Sequence, residues 1–404
     1  MKDVELSNKV DFIMKLGSAF HRYGTNAPRL ELALTNIANS LGITGNFFST
    51  PTYLAVSIDT EDGQVTRHIR VSPGEVNLAK LSAVDHIADE VCDGKLSIDK
   101  GIKFLDKVKL SSDRYNKTIT TIAFGLTSLA LAIIFGGSFI DASFAFTVGS
   151  VLGLVGMLTS KSEDFSNIFE FVAAFVCTVL AYIMKYAFPS THFQIVLMAS
   201  LIVIIPGLSL TIAMVELAAK NLVSGTARFM GAIVDFFKIS FGVMAGIQTG
   251  KFFFSSLAPD MSFPLPDFWI IPAIVVGSLA FTIIFKARPK DFKWILLSGL
   301  SAIFAIKVSG WFLSGVLSIF IAGLVVGAGS NIFARIYNRP AMIPLLPGII
   351  FLVPGSIGFR GVNLIFETKY SQGLGIGFQM FIIAITIVAG LFLANVLVNP
   401  RRSL

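Results

Sequence analysis

The stretch Ile204-Ile205-Pro206-Gly207-Leu208-Ser209-Leu210, with its distant counterpart Leu352-Val353-Pro354-Gly355-Ser356-Ile357-Gly358, decides how the rest of the chain is read. Each Pro-Gly pair interrupts an apolar run long enough to cross a bilayer. Proline lacks a backbone donor and its ring clashes with the preceding turn, while glycine widens the accessible φ/ψ range. Backbone facing lipid must find its hydrogen bonds within the protein. Such breaks therefore persist only where protein buries them or where they line a wet cavity. One break alone reads as a packing kink. Two breaks at corresponding places in two halves point to the central site of a transporter.

Composition outside these stretches supports a bilayer-embedded chain. Of 404 residues, 54% are hydrophobic and 14% charged, against roughly 25% charged in soluble domains. The mean hydropathy is +0.76. The formal charge of +7 is explained by basic residues in loops on the cytoplasmic side. Nucleic acid is excluded as a partner, because no polar element carries a clustered basic face. Cys92 and Cys177 lie in unlike contexts, a polar helix and an apolar span, which predicts neither a disulfide nor a metal site. Residues 1–20 lack the uninterrupted apolar core of a signal peptide, so the N-terminus is expected in the cytoplasm.

Residues 1–112 read as a small soluble α/β domain in the order α-α-β-β-β-α-α. Helical periodicity runs from Val4 to Tyr23 and stops at Gly24; Pro28 opens a second helix through Leu41. Strands are expected at Ile43–Thr50, Tyr53–Asp59 and Gln64–Val71, with Glu61-Asp62-Gly63 as a hairpin turn. Helices near Glu75–Val91 and Ser97–Leu110 complete a sheet covered by helices. His21, Thr25, Arg29, Glu31, Asp59, His68, Asp85 and His86 have the atoms for catalysis but follow no ordered motif. They read mostly as solvated surface, and the chain is not expected to be an enzyme. Gly24 to Glu31 is the most unusual polar stretch.

From Asn116 onward about ten apolar segments have the length of a tilted membrane helix. They lie near 117–136, 143–160, 167–187, 193–219, 226–249, 268–286, 292–308, 312–333, 341–366 and 373–398. The fourth and ninth hold the Pro-Gly breaks. Basic loops around Arg114, Lys117, Lys286, Arg288, Lys290, Lys293, Arg335, Arg339, Arg401 and Arg402 put both termini in the cytoplasm. Nineteen residues separate Pro206 from Gly225, and nineteen separate Pro354 from Gly373. Two five-span halves, 113–251 and 252–404, would then lie in the membrane with opposite topology. The expected fold is a polytopic α-helical membrane protein of about ten transmembrane helices in two inverted five-helix repeats, with the α/β domain in front.

Charges within these spans are candidate working groups. Glu216 is ten residues past Pro206, and Lys220 is one turn further on, within reach of an ion pair. Asp235 and Lys238 share a face of the fifth span, where Asp235 is expected near mid-depth. A membrane carboxylate is costly unless paired or hydrated, so Glu216 and Asp235 are the expected proton-coupling groups. For Glu216 and Lys220, a position at the cytoplasmic interface is the competing reading. The pairs Gly149/Gly153 and Gly242/Gly246 permit close helix packing, within one subunit or in a homo-oligomer.

In order and spacing, several of these residues resemble the threonine/serine exporter family. The soluble part carries Gly24, Arg29, Glu31, Leu41-Gly42 and Pro51-Thr52. The membrane part carries Pro206-Gly207, Glu216 and Gly225-Thr226-Ala227-Arg228, then Val353-Pro354-Gly355-Ser356 with Arg360 and Gly361. The similarity runs from about Leu16 to Val398. It departs at Glu216, where an aspartate is common, and at Ser209, where a second proline often stands. The resemblance implies an inner-membrane carrier with a cytoplasmic domain, exporting small polar amino acids at the expense of the proton gradient. Some relatives export dicarboxylates, so a succinate-like solute is the alternative, and a membrane-anchored enzyme a further one. No cofactor is implied.

A mechanism can be set against this resemblance. Pro206, Gly207, Ser209, Thr211, Pro354, Gly355 and Ser356 are expected to bind the solute around the breaks, with half-helix ends facing its charged groups. Lys220, Arg228, Arg360, Gly24, Arg29 and Glu31 are expected in structural or gating roles.

Overall fold

The computed structural model describes residues 2–60, 63–72, 74–159, 162–254, 257–260, 264–352, 357, 361, 364 and 370–400. Pro354, Gly355, Ser356 and Arg360, the second break and its arginine, lie outside them, as do Glu61 and Asp62 of the expected hairpin turn.

The N-terminal unit runs α1 (Lys2–Arg22), α2 (Ala27–Ser40), β1 (Gly45–Thr50), β2 (Tyr53–Thr60), β3 (Gly63–Arg70), α3 (Leu78–Cys92) and α4 (Ile98–Leu110). The strands form one antiparallel sheet in the order β1-β2-β3. Along β2, Leu54, Val56 and Ile58 are fully buried, and they alternate with outward residues as the pleat requires. They pack with Phe12, Leu16, Phe20, Leu30, Leu34 and Leu81 from the covering helices. Helix α3 starts at Leu78, three residues later than the periodicity predicts. Asn77 caps it there, its Oδ1 accepting from the Lys80 amide at 3.0 Å.

The α-helices described beyond the N-terminal unit are α5 (Lys117–Ile134), α6 (Phe139–Thr159), α7 (Glu163–Asn167), α8 (Phe169–Ala187), α9 (Phe193–Leu201), α10 (Gly207–Ala218), α11 (Leu222–Phe253), α12 (Ile270–Ile284), α13 (Phe292–Ser309), α14 (Gly315–Tyr337), α15 (Met342–Ile350) and α16 (Tyr370–Leu397). Among the described residues, eight helical segments are long and apolar enough to cross a membrane. The expected fourth span is split into α9 and α10 by the Pro206-Gly207 break. The first part of the ninth is α15, which ends four residues before Pro354. Outward-facing Phe304, Leu374 and Phe378 are at least two-thirds exposed, a pattern suited to lipid rather than water.

The two halves pack alike. In each, the third and fourth long helices lie together, α8 on α11 and α14 on α16. Glycine makes both contacts possible. A Cβ on Gly242 of α11 would stand 2.5 Å from the Phe171 carbonyl oxygen, and one on Gly390 of α16 2.5 Å from that of Phe320. Backbone cannot yield as a flexible side chain does. In each half a nine-residue helix, α9 or α15, also packs on the second long helix, α6 or α13.

The three non-glycine residues with positive φ among the described residues are Lys220, Lys286 and Asn338, at the ends of α10, α12 and α14. All three corners meet the N-terminal unit. Asn221 donates to Glu31 at 2.8 Å, Lys286 to Glu75 at 2.6 Å and to Asp113 at 2.7 Å, and Asn338 to Asp89 at 3.4 Å. The first two amides of α3 also donate to the two carbonyls just past the end of α12, Leu78 to Phe285 at 2.9 Å and Ala79 to Lys286 at 3.3 Å. These pairings satisfy groups that helix ends otherwise leave open. The N-terminal unit thus rests on corners of both halves.

At the far end of the helices, the ammonium of Lys185 is 1% exposed. It donates to the carbonyls of Pro189 (2.9 Å), Thr191 (2.6 Å) and Pro259 (3.1 Å), and Asp260 lies 3.3 Å away. Asp141 is fully buried beside it and accepts from the Ser138 and His192 amides.

Gly242→Val and Gly390→Val are each expected to destabilise the protein by about 1–3 kcal/mol, the usual range for overpacking. Thermal unfolding in detergent micelles should show a lowered midpoint for both, with Gly329→Val, which meets nothing within 4 Å, as the control.

Candidate functional site

The break between α9 and α10 is a short irregular passage over residues 202–206. Turn bonds hold it, from the Ile204 and Ile205 amides to the Leu201 carbonyl at 3.0 and 3.1 Å. Pro206 caps α10, and the chain turns helical again at Gly207. A cavity of about 130 Å³ opens beside this passage. Ile202, Ile205 and Gly207 line it from the break, Thr127 from α5, Phe285 from the end of α12 and Ile350 from the end of α15. Of the described residues expected to bind solute, only Gly207 is on its wall. The Thr211 hydroxyl donates back to the Gly207 carbonyl at 3.1 Å, and Ser209 is not among the lining residues.

Helix α10 ends eleven residues on in a corner that decides the fate of its carboxylate. Lys220 takes the left-handed conformation at φ +65°. The Lys220 amide bonds the Leu217 carbonyl and the Asn221 amide bonds the Glu216 carbonyl, at 3.0 and 2.9 Å. This double closure ends a helix and swings the chain away from its axis. The expected pair of Glu216 with Lys220 is therefore not made, because Lys220 is no longer on the helical face one turn below. It is exposed instead.

Glu216, with no exposed surface, pairs with Arg228 on α11. Arg228 Nε reaches Oε2 and Nη2 reaches Oε1, both at 3.1 Å, a two-pronged contact. Ser224 Oγ donates to Oε2 at 2.9 Å and the Ala27 amide, at the start of α2, to Oε1 at 3.2 Å. Four donors thus satisfy a carboxylate whose burial is otherwise costly. One turn along α2, Glu31 accepts from the Ser49 amide and from Asn221 Nδ2, both at 2.8 Å. Burial raises the pKa of Glu31 against these two hydrogen bonds.

Gly24 sets the approach. At φ +107° it closes α1 with the Thr25 amide on the Phe20 carbonyl, and Val76 stands 3.0 Å from where a Cβ would be. Asn26 then caps α2, its Oδ1 accepting from the Arg29 amide at 3.3 Å. His21 Nε2 lies 3.0 Å from the Thr50 carbonyl. Gly24, Glu31, Glu216 and Arg228, scattered over two hundred residues, thus converge on one junction, with Arg29 in the first turn of α2. Asn221, Ser224 and Ser49 complete it. No periodicity marks those three, since each acts at or next to the end of a helix or strand.

Asp235 lies elsewhere. Helix α11 is 32 residues long, about 48 Å at 1.5 Å per residue and well beyond a hydrocarbon core of about 30 Å. Lys238 stands 3.3 Å from both Asp235 and Glu170, and Glu170 is in the first turn of α8. Asp235 is therefore level with a helix end, not with the middle of the spans. The two cysteines are free and not paired.

Residues 11–250 match the ThrE family model of threonine/serine exporters, and residues 271–397 match a second model described as "Threonine/Serine exporter, ThrE". Among curated proteins, the chain is 25% identical to an uncharacterized protein of Schizosaccharomyces pombe over 99% of its own length and 57% of the relative's. It is similar to "Pheromone-regulated membrane protein 10" of Zygosaccharomyces rouxii, with 25% identity over 98% of this chain and 43% of that one. The protein of the same name from Saccharomyces cerevisiae is 24% identical over 96% and 54%. The chain spans about half the length of the curated relatives it matches. No solved structure matches.

Two outcomes test the junction. Arg228→Ala leaves the Glu216 carboxylate buried without its counter-ion and should cost about 3–5 kcal/mol, the range for breaking a buried pair; Glu216→Gln should cost less, measured by thermal unfolding. Acid should loosen it as well. Burial lowers the pKa of His21 below its usual 6.5, with Arg228 pushing the same way and Glu216 and the Thr50 bond opposing. The unfolded ring then takes up its proton first, so the contribution of the neutral ring is complete above pH 6.5 and declines as pH falls below it. Protection of the first amides of α2 against hydrogen exchange, corrected for the intrinsic pH dependence of exchange, should fall as pH drops below about 6.5, and His21→Gln should flatten that response.

Proposed function

The chain belongs to the threonine/serine exporter family, and on that premise we propose that it is a secondary carrier. It moves small polar amino acids of the threonine or serine kind out of the cell by alternating access around the α9–α10 break. The observation that carries this reading is the cavity beside Gly207. It touches the break of the first half and, through Ile350, the end of the corresponding helix of the second. At about 30 Å³ per water in the liquid, it has the room of roughly four waters, which suits a solute of three or four carbons.

An inverted pair of five-span repeats is the architecture we propose. The shared α8–α11 and α14–α16 packing and the matching nine-residue helices α9 and α15 support it. Counting the two broken spans with the eight continuous segments gives ten crossings. The basic residues of the corners favour a cytoplasmic N-terminal unit, and the cell membrane is the expected location.

We assign proton coupling to Glu216. A proton on this carboxylate would remove the counter-ion of Arg228 and weaken the acceptor of the Ala27 amide. The N-terminal unit would then be freer to leave the α10–α11 corner and open the cytoplasmic mouth. Asp235, already in a cluster with Lys238 and Glu170, fits a structural role better.

Counterflow in proteoliposomes tests the whole. Labelled threonine or serine should exchange, and Gly207→Leu, which fills the cavity, should reduce exchange at least tenfold. Glu216→Gln should retain exchange but lose its response to a pH gradient. Exchange of succinate without threonine would replace the amino-acid reading by the dicarboxylate one, and exchange of neither would remove the carrier reading.

A further inference from the structure

A cavity of about 850 Å³ opens where the N-terminal unit meets the α12–α13 corner, within the roughly 300–1,000 Å³ of small-ligand pockets. Its charged lining comes from three places: Lys80 on α3, Asp113 and Arg114 between α4 and α5, and Arg288 and Lys290 between α12 and α13. Four cations thus face one carboxylate, and that carboxylate is already committed. Asp113 accepts from Lys286 Nζ at 2.7 Å and from Asn77 Nδ2 at 3.2 Å. Lys80, 3.9 Å from it, donates to the Ser111 carbonyl at 2.7 Å.

Arg288 is half-buried with no acid of its own. Asp291, three residues on, is fully buried and takes both prongs of Arg339. Burial lowers the pKa of Arg288, and the like charges of Arg339 and Arg114 push the same way against Asp291. An arginine stays charged all the same, so losing a proton does not relieve the repulsion. Among the described residues, the side chains of Arg114, Arg288 and Lys290 make no ion pair. Cations on separate elements around one space, with the neighbouring carboxylates spent, make a seat for an anion.

Geometry selects among anions. A carboxylate offers two oxygens in one plane and is satisfied by one arginine fork. A phosphate offers oxygens in several directions, which suits donors arriving from α3, from the segment before α5 and from the α12–α13 corner. Depth points the same way. Arg114 stands three residues before α5 begins at Lys117, and Arg288 and Lys290 lie between the end of α12 at Ile284 and the start of α13 at Phe292. The cavity is therefore level with the ends of three membrane spans, where phospholipid headgroups lie and basic pockets bind them.

We propose that this cavity is a binding site for a phosphate group, with Arg114 and Arg288 as its principal donors and Lys80 and Lys290 around it. Anionic phospholipid headgroups and soluble phosphate esters share that chemistry. Lys80 belongs to the N-terminal unit and Arg288 to the helical bundle, so an occupant fastens one to the other. The site is independent of the carried solute and of the cavity at Gly207.

The test is binding to the purified full chain in neutral detergent, read by native mass spectrometry and by the thermal unfolding midpoint. The probes are short-chain phosphatidylglycerol, short-chain phosphatidylcholine, glycerol 3-phosphate and succinate. Phosphatidylglycerol or glycerol 3-phosphate should bind saturably and raise the midpoint; the first alone identifies a lipid headgroup, and the second at equal or higher affinity a soluble ester. Arg114→Gln with Arg288→Gln should weaken binding about tenfold or more. Lys100→Gln with Lys109→Gln, which removes two exposed charges of α4 outside the cavity, should not. Without a probe, Arg288→Gln should leave the midpoint unchanged or raised, because an uncompensated cation is removed. If the double arginine variant does not fold, Lys290→Glu, at an exposed position, adds a negative charge to the lining and should weaken binding as much. The proposal is overturned if neither phosphate probe binds, if succinate or phosphatidylcholine binds as tightly, if the cavity variants bind like wild type, if the α4 pair weakens binding equally, or if Arg288→Gln lowers the midpoint without a probe.

Discussion

Glu216 has no exposed surface and so has to be given its hydrogen bonds by the fold. A carboxylate out of water costs several kcal/mol unless a cation and further donors surround it. Here they arrive from three directions: Arg228 and Ser224 across the α10–α11 corner, and Ala27 from the first turn of α2. The requirement fixes the angle of the corner, the register of α11 against α10 and the seat of the N-terminal unit together. A change in any one leaves an unpaired group in the others. The same logic recurs at the α12–α13 corner, where fully buried Asp291 takes both prongs of Arg339.

Helix packing sets a second constraint. The pairs α8–α11 and α14–α16 approach closely enough that glycine is needed against a facing carbonyl. Contacts of this closeness behave as units, since backbone meets backbone with nothing flexible between. The break and the cavity are lined by residues outside both pairs, from α5, α12 and the ends of α9, α10 and α15.

Much of this was legible in the residues. Pro206-Gly207 announces the α9–α10 break because no other pair so thoroughly removes helical hydrogen bonding. The order of the N-terminal elements follows from Gly24, Pro28 and the alternation in β2. Glu216 was visible as a charge out of place, yet its partner was not. Helical spacing offers Lys220, and only the left-handed turn at that lysine hands the carboxylate to Arg228, twelve residues on. Asp235 was set too deep for a related reason. Hydropathy ends a span where charges begin, whereas α11 continues well past the apolar stretch, so depth counted from its apparent start is wrong.

The far end of the molecule is fastened by different chemistry. Three of the four oxygens around the Lys185 ammonium are backbone carbonyls, which no proton can neutralise. The junction at Glu216 is held by a carboxylate with a neutral imidazole nearby, both of which a proton alters. The far end also has titratable side chains, with Asp260 between Lys185 and His192, but three of the four oxygens on the Lys185 ammonium are ones that acid leaves unchanged. The two ends of one helical bundle are therefore fastened by unlike parts, one mostly backbone and the other mostly side chain.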